Sequence, residues 1–245
     1  MIDSRRKGIQ AREQRIGSGR QRPAAAAAGA LAVLSLAVLA PAAAASELAP
    51  EGALGRHRWV SLGVVSGWVK PDSKLADYQW DTSPRWTLGG EALGGLGRVA
   101  LGLRLLRSET TQTLGAFAAP GEASVRSTTW ELVGRVRLAS LGRMDVLATA
   151  GGGLLHMGYA PDRIQVDAGT GALIAVELEP IDEWTASAGL AVERALAGRW
   201  VAGLGVEHRV FSMDTAHRSG AEIVSATESF HGWSARLGLA WRYGI

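Results

Sequence analysis

Between residues 58 and 243, apolar and polar positions alternate with a period of two in eight separate stretches: 58–68, 85–94, 98–108, 128–139, 145–157, 183–195, 199–211 and 230–243. In the last stretch one face reads Trp233, Ala235, Leu237, Leu239, Trp241, Tyr243, and the other Ser234, Arg236, Gly238, Ala240, Arg242. In 128–139, Trp130, Leu132, Gly134, Val136 and Leu138 oppose Glu131, Arg135 and Arg137. In 183–195, Trp184, Ala186, Ala188, Leu190 and Val192 oppose Thr185, Ser187, Gly189, Ala191 and Glu193. The stretches 98–108 and 199–211 follow the same rule, while 58–68 and 145–157 are open in phase, the second blurred by Gly151-Gly152-Gly153. Helices are excluded: the faces repeat at 180°, and a glycine every few residues costs a helix about 1 kcal/mol per site.

Each stretch is 10 to 14 residues long. A soluble strand averages about 5–6 residues, and a tilted membrane-crossing strand needs about 9–11. The connections alternate as well. Tight turns fall near 94–97, 140–144 and 196–198, and loops of about 16 to 25 residues join the other strands. Short turns at one end and long loops at the other predict an all-β fold, an eight-stranded antiparallel up-and-down transmembrane β-barrel, with both termini on the turn side. The tryptophans sit at strand ends: Trp68, Trp86, Trp130, Trp184 and Trp233 toward the loops, and Trp59, Trp200, Trp241 and Tyr243 toward the turns. Two such rows predict membrane-interface girdles.

On these strands, gaps and aromatic rows the chain resembles the small eight-stranded outer-membrane barrels represented by the OmpA membrane domain, OmpX and OmpW. The resemblance covers about 58–243, nearly all of the chain after its leader. The strand Trp233 to Tyr243 is similar to the C-terminal signal of that family, which usually ends on Phe or Trp; here the chain runs on to Gly244-Ile245. The resemblance implies an outer-membrane location, contact with outer-membrane lipid and lipopolysaccharide, engagement of the barrel-insertion machinery during biogenesis, and a monomer. It specifies architecture far better than activity.

The N-terminal segment alters the charge balance. Arg5, Arg6, Lys7, Arg12, Arg15, Arg20 and Arg22 precede the apolar run 24–40, Pro41 and Ala43-Ala44-Ala45. That order predicts a signal peptide over 1–45, a short periplasmic segment over 46–57 and the barrel over 58–245. An uncleaved anchor is the alternative, though the run is short and alanine-rich for a span. Seven of 26 Lys and Arg and two of 23 Asp and Glu lie in the leader, leaving 19 against 21 and a formal charge of −2. The basic character therefore goes with the leader, and nucleic acid is not an expected partner. With no cysteine, disulfides, zinc-thiolate sites and thiol nucleophiles are excluded.

The inward charges expected in the barrel are Glu91, Glu131, Glu193 and Glu207 against Arg104, Arg135, Arg137, Arg209 and Arg236. Near balance without a single-sign ring predicts a plug that holds register rather than an ion-selective pore. Folding the strands on their connections places Arg104 by Glu131 and Glu207 across from Arg236. The long loops, with Glu183 at the rim of the third, carry a formal −9. Of this, −5 comes from Asp162, Asp167, Glu177, Glu179, Asp182 and Glu183 against Arg163. That surface is solvated or binds cations and partners. The runs Arg163 to Val166 and Leu173 to Leu178 around a glycine turn predict a hairpin prolonging the flanking barrel strands.

Three other functions fit parts of the pattern. A narrow channel for small or hydrophobic solutes needs an open lumen. A soluble periplasmic lipocalin-like barrel needs a heavily charged outer face, which the strands lack. Some small barrels deacylate lipid A with a Ser, His and acid set; here His156, His208, His217 and His231 are the histidine candidates. Glu207 and His208 point to opposite faces of their strand, and the family's His-x-Ser spacing is absent. No catalytic residue, metal site or cofactor is expected.

Overall fold

The computed structural model describes residues 58–114, 121–167, 172–219 and 222–244. The leader and the segment 46–57 lie outside them. In chain order the strands are β1 (Arg58–Lys70), β2 (Arg85–Leu96), β3 (Val99–Leu114), β4 (Gly121–Leu141), β5 (Met144–Ala160), β6 (Arg163–Asp167), β7 (Leu173–Glu177), β8 (Ile181–Ala195), β9 (Trp200–Ser219) and β10 (Glu222–Gly244). Eight of them close into an antiparallel barrel in the order β1-β10-β9-β8-β5-β4-β3-β2. The expected fold class is therefore observed, with β1 and β10 sealing the ring from Trp59↔Gly244 to Lys70↔Trp233.

The three short turns share one device. Gly97, Gly142 and Gly198 each have a positive φ of 60° to 68°, which an L side chain rarely adopts, and each is followed by an arginine.

At the other end the barrel strands outrun their expected limits. β3 continues to Leu114 and β4 begins at Gly121, while β9 and β10 pair as far as Ser219↔Glu222. The second and fourth of the expected long loops are prolonged barrel hairpins. Exposure explains why the alternation hides them. In the lower barrel the outward positions are apolar, such as Leu101, Leu103, Leu204 and Leu237, and the inward ones polar. Above the outer tryptophans the sense inverts. Inward Leu106, Val125, Met213 and Phe230 are buried, while Arg107, Arg126, Asp214 and His231 face outward.

The phases of β1 and β5 are settled by burial. Val60, Leu62 and Val64 face outward, with Ser61 and Val65 inside; on β5, Leu147, Thr149, Leu155 and Met157 face inward. The hairpin in the third long connection departs from expectation. β6 and β7 pair with each other alone, from Arg163↔Glu177 to Asp167↔Leu173, as a separate two-stranded sheet. They do not prolong β5 and β8. The barrel ladder between those strands ends at Met157↔Ile181, so the hairpin starts its own register.

A short 3-10 helix, Ser73–Tyr78, occupies the first long connection. Asp72 caps it by accepting from the Lys74 N–H at 3.0 Å, and the same carboxylate accepts from the His231 N–H of β10 at 3.0 Å. Burial on its own raises the Asp72 carboxyl, but the two N–H donors and nearby Lys74 outweigh it and hold the group below its ordinary 3.8. The cap therefore ties the helix to the barrel wall.

Candidate functional site

The barrel interior has two layers. The upper one is an apolar cluster of Leu75, Trp80, Val125, Leu155, Met157, Met213 and Phe230. Phe230 and Val125 are completely buried, and Phe211 stacks on Phe230 at 5.6 Å between ring centroids. Leu75 and Trp80 reach this cluster because the 3-10 helix folds into the mouth. The period-two pattern assigns no element to that segment. The signal lay in the Asp72 cap followed by Leu75 and Tyr78 three residues apart, a spacing that puts two apolar side chains on one side of a 3-10 turn.

Below this cap lies the charged layer. Arg104, 2% exposed, is its centre. Its Nε donates to Glu131 Oε2 at 2.7 Å, and its Nη1 and Nη2 donate to Glu207 Oε1 and Oε2 at 2.9 and 2.8 Å. Arg209 Nη2 donates to the other Glu131 oxygen at 2.7 Å, so both oxygens of that buried carboxylate are engaged. Arg236 pairs with Glu207. Arg135 bridges Glu193 at 2.6 Å and Glu91 at 2.6 and 2.7 Å. Arg137 turns toward the turn-side mouth, donating to the Gly97 carbonyl at 2.9 Å and lying 3.5 Å from Asp145.

All nine charges expected inside are thus on the inner face, and eight of them form one connected set, its two halves joined by Arg104 Nη1 and Glu91 Oε2 at 3.9 Å. Two members went unrecognised. Arg242 donates to Glu193 Oε2 at 2.6 Å, and Asp145 accompanies Arg137. Arg242 shares the parity of Arg236 on β10, which is the signal that identifies it.

Glycines make room for these side chains. Across the ladder Glu131 faces Gly153, Glu207 faces Gly189, Glu91 faces Gly63, Glu193 faces Gly203, and Arg236 faces Gly67 and Gly205. At Gly153 the approach is closest: a Cβ there would lie 1.7 Å from the Trp130 carbonyl oxygen and 2.8 Å from Glu131 Cα. The free space beside the network, bounded by Glu91, Arg104, Arg135, Glu207 and Arg236, amounts to about 60 Å³. That admits a few waters.

Both expected pairs form, but one of them in a different register from the direct opposition expected. Arg104 does stand directly opposite Glu131. Arg236, however, stands opposite Gly205, and Ser234 stands opposite Glu207. Arg236 reaches Glu207 diagonally, two residues along the strand, because a long guanidinium spans that offset. Sequence could not set this register, since the β9–β10 hairpin turns far above the charged layer.

The aromatic rows are placed as follows. Trp68, Trp86, Trp130, Trp184 and Trp233 point outward and are about half exposed, with Trp68 edge-on to Trp86 at 4.5 Å. Trp200, Trp241 and Tyr243 point outward at the turn end, where Trp241 and Tyr243 stack. Trp59 does not join them. It has the inward parity of Ser61 and Val65 and lies under the Arg242 guanidinium, 4.1 Å from its ring centroid. Its neighbour across the ladder is Gly95, which leaves the space that the indole fills.

The acidic residues of the third long connection do not form one cluster. Glu177 pairs with Arg163, Asp182 with His156 Nδ1 at 2.7 Å, and Asp162 and Glu179 are exposed. Glu183 has the inward parity of Thr185 and Ser187 on β8. The Asp167 side chain lies outside the described residues. Among the described residues no group of three or more His, Asp and Glu could hold a metal ion. His208 and His231 stack on the outer wall at 5.3 Å, with the Glu207 side chain on the opposite face.

No protein-family model matches the chain, and no curated protein matches it. Several solved structures are similar in chain path. Neisserial surface protein A, NspA, is 10% identical with a TM-score of 0.45, over 76% of this chain and 97% of that one. The outer membrane protein AlkL, determined in DMPC bilayers, is 13% identical with a TM-score of 0.41, over 80% and 95%. Ail of Yersinia pestis, in complex with the heparin analogue sucrose octasulfate, is 11% identical with a TM-score of 0.38, over 77% and 100%. The barrel itself is established by its own closed ladder.

Proposed function

We propose that the protein is an integral outer-membrane β-barrel with a plugged lumen, whose role is structural and surface-directed rather than catalytic or conductive. The observation that carries this is the inside-out distribution of charge. Arg104, Glu131, Glu207 and Arg236 are almost fully buried, while Leu62, Leu103, Trp130, Leu190 and Leu237 are more than half exposed on the outer wall. In water that outer belt is a large unpaired apolar surface; in a bilayer it is solvated, and the closed ladder leaves no unpaired strand edge. Outward tryptophans at the two ends of the belt support the same placement, their amphipathic rings suiting the headgroup level.

Two features support closure. The Arg–Glu network leaves room for water only, and the apolar cluster around Phe230 and Trp80 covers it from the loop side. A gated pore would need a continuous polar path between the mouths. The barrel strands beyond the outer tryptophans, together with the β6–β7 hairpin, then stand outside the membrane as the surface available to partners.

The test is reconstitution of the mature chain in planar bilayers after folding in detergent. The folded form should migrate differently from the boiled form on gels and give little or no stable conductance. Large, reproducible, ion-selective steps would replace the plug by a narrow channel.

A further inference from the structure

We propose that the turn end of the barrel is a docking surface for the phosphates of anionic phospholipids, formed by Arg58, Arg143, Arg194 and Arg199. The proposal rests on the membrane placement above and adds a preference for lipid type on one side of the bilayer. All four side chains are exposed. Arg58 and Arg194 have the outward parity of Val60 and Val192 on their strands. Arg143 and Arg199 follow the positive-φ glycines of two tight turns. Among the described residues none of the four makes an ion pair with an acid. Among the described residues the acids at this end, Asp145 and Glu193, point inward and are held by Arg137 and by Arg135 and Arg242.

The arginines fall into two groups. Met144 is the ladder partner of Arg194, and the Ala195 N–H donates to the Arg143 carbonyl at 3.1 Å, so Arg143 and Arg194 lie side by side. Arg199 lies over Tyr243 at 4.5 Å and Trp241 at 5.6 Å, with Arg58 on the adjoining strand, where Val60 is the ladder partner of Tyr243. Those outward rings belong to the turn-side aromatic row, so the Arg199 guanidinium is held over them at the height where lipid phosphates sit. A guanidinium presents a planar fork of donors that matches a phosphate bidentately. Unneutralised cations at headgroup level attract anionic lipid. The far end of the molecule carries exposed Asp162, Glu179 and Asp182 among its own cations Lys70, Lys74 and Arg107, whereas the outward cations of the turn side have no acid beside them among the described residues.

The experiment is native mass spectrometry of the folded mature barrel with phosphatidylglycerol and phosphatidylcholine of identical acyl chains. Wild type should retain phosphatidylglycerol over phosphatidylcholine at least threefold, with the excess shrinking as salt rises. A variant with Arg58, Arg143, Arg194 and Arg199 all changed to Gln should lose the excess, and the four Arg→Lys changes should keep most of it. If the fourfold Gln variant does not fold, R58Q/R199Q and R143Q/R194Q should each lose part of it. Equal retention of the two lipids by wild type, or an excess unchanged in the variants, overturns the proposal. Insertion into uncharged phosphatidylcholine vesicles is scored in parallel. A barrel that inserts there but shows no lipid preference overturns the proposal alone; one that fails to insert overturns the membrane placement as well.

Discussion

Arg104 offers the sharpest test of the buried network. Replacing it by Leu removes the central cation and leaves Glu131 and Glu207 each one partner short, with Arg209 and Arg236 still in place. A broken buried pair costs about 3–5 kcal/mol, and the surviving partners put this change near the lower end, about 3 kcal/mol. Glu131→Leu is worse, about 4 kcal/mol by the same rule, because Glu131 is the carboxylate that Arg209 pairs with. The double variant breaks no further contact of Arg209 and should cost about as much as Glu131→Leu alone. The coupling is then about 2–3 kcal/mol, at the upper end for residues in one network. The assay is urea unfolding of the barrel in lipid vesicles followed by tryptophan fluorescence. With a slope of about 2 kcal/mol/M, the Arg104→Leu midpoint should fall by about 1.5 M. Singles that each cost less than about 1 kcal/mol and add strictly would refute the reasoning, because that is how side chains in a water-filled lumen behave.

Other consequences follow from the same contacts. Phe230→Ala, at a completely buried position, should cost about 3–5 kcal/mol and admit small-ion leakage in planar bilayers, where wild type is silent. Gly153→Ala places a Cβ against the Trp130 carbonyl and should lower the unfolding midpoint by the equivalent of about 1–3 kcal/mol; an unchanged midpoint would show that the wall yields there. Since the folded Asp72 carboxyl lies below 3.8, its contribution is complete above that pH and is lost as pH falls through the folded value. Acidification should therefore expose 71–84 to pepsin, and Asp72→Asn should weaken that pH dependence. Glu207→Gln and Arg236→Leu should lose less together than the sum of the singles, although the two residues meet diagonally.

Much of the barrel was legible because a bilayer inverts the usual contrast. Outward Leu and Trp against inward Gly, Ser, Glu and Arg gave β2 and β8 their limits within two residues. The contrast then reverses along a single strand. On β9, apolar Val206 faces out beside inward Glu207, whereas further up Met213 faces in beside outward Asp214. A period-two pattern that changes sign reads as the end of a strand, and so the tall hairpins beyond the outer tryptophans read as loops. The inner charges were found by parity alone, but their partners depended on register. Arg104 and Glu131 lie on strands whose pairing parity and charge agree, and they meet directly. Arg236 needed a register that no short turn pins. Trp59 was misplaced because 58–68 carries apolar residues on both faces, with Val64 and Val65 adjacent, so the pattern could not choose its phase.

Fractionation of Gram-negative cells expressing the full chain tests the central claim most directly. The claim is that the apolar outer wall is solvated by lipid. The account predicts recovery in the outer-membrane pellet, resistance to extraction by alkaline carbonate, and release only by detergent. Recovery of folded, monomeric protein in the soluble periplasmic fraction would contradict it.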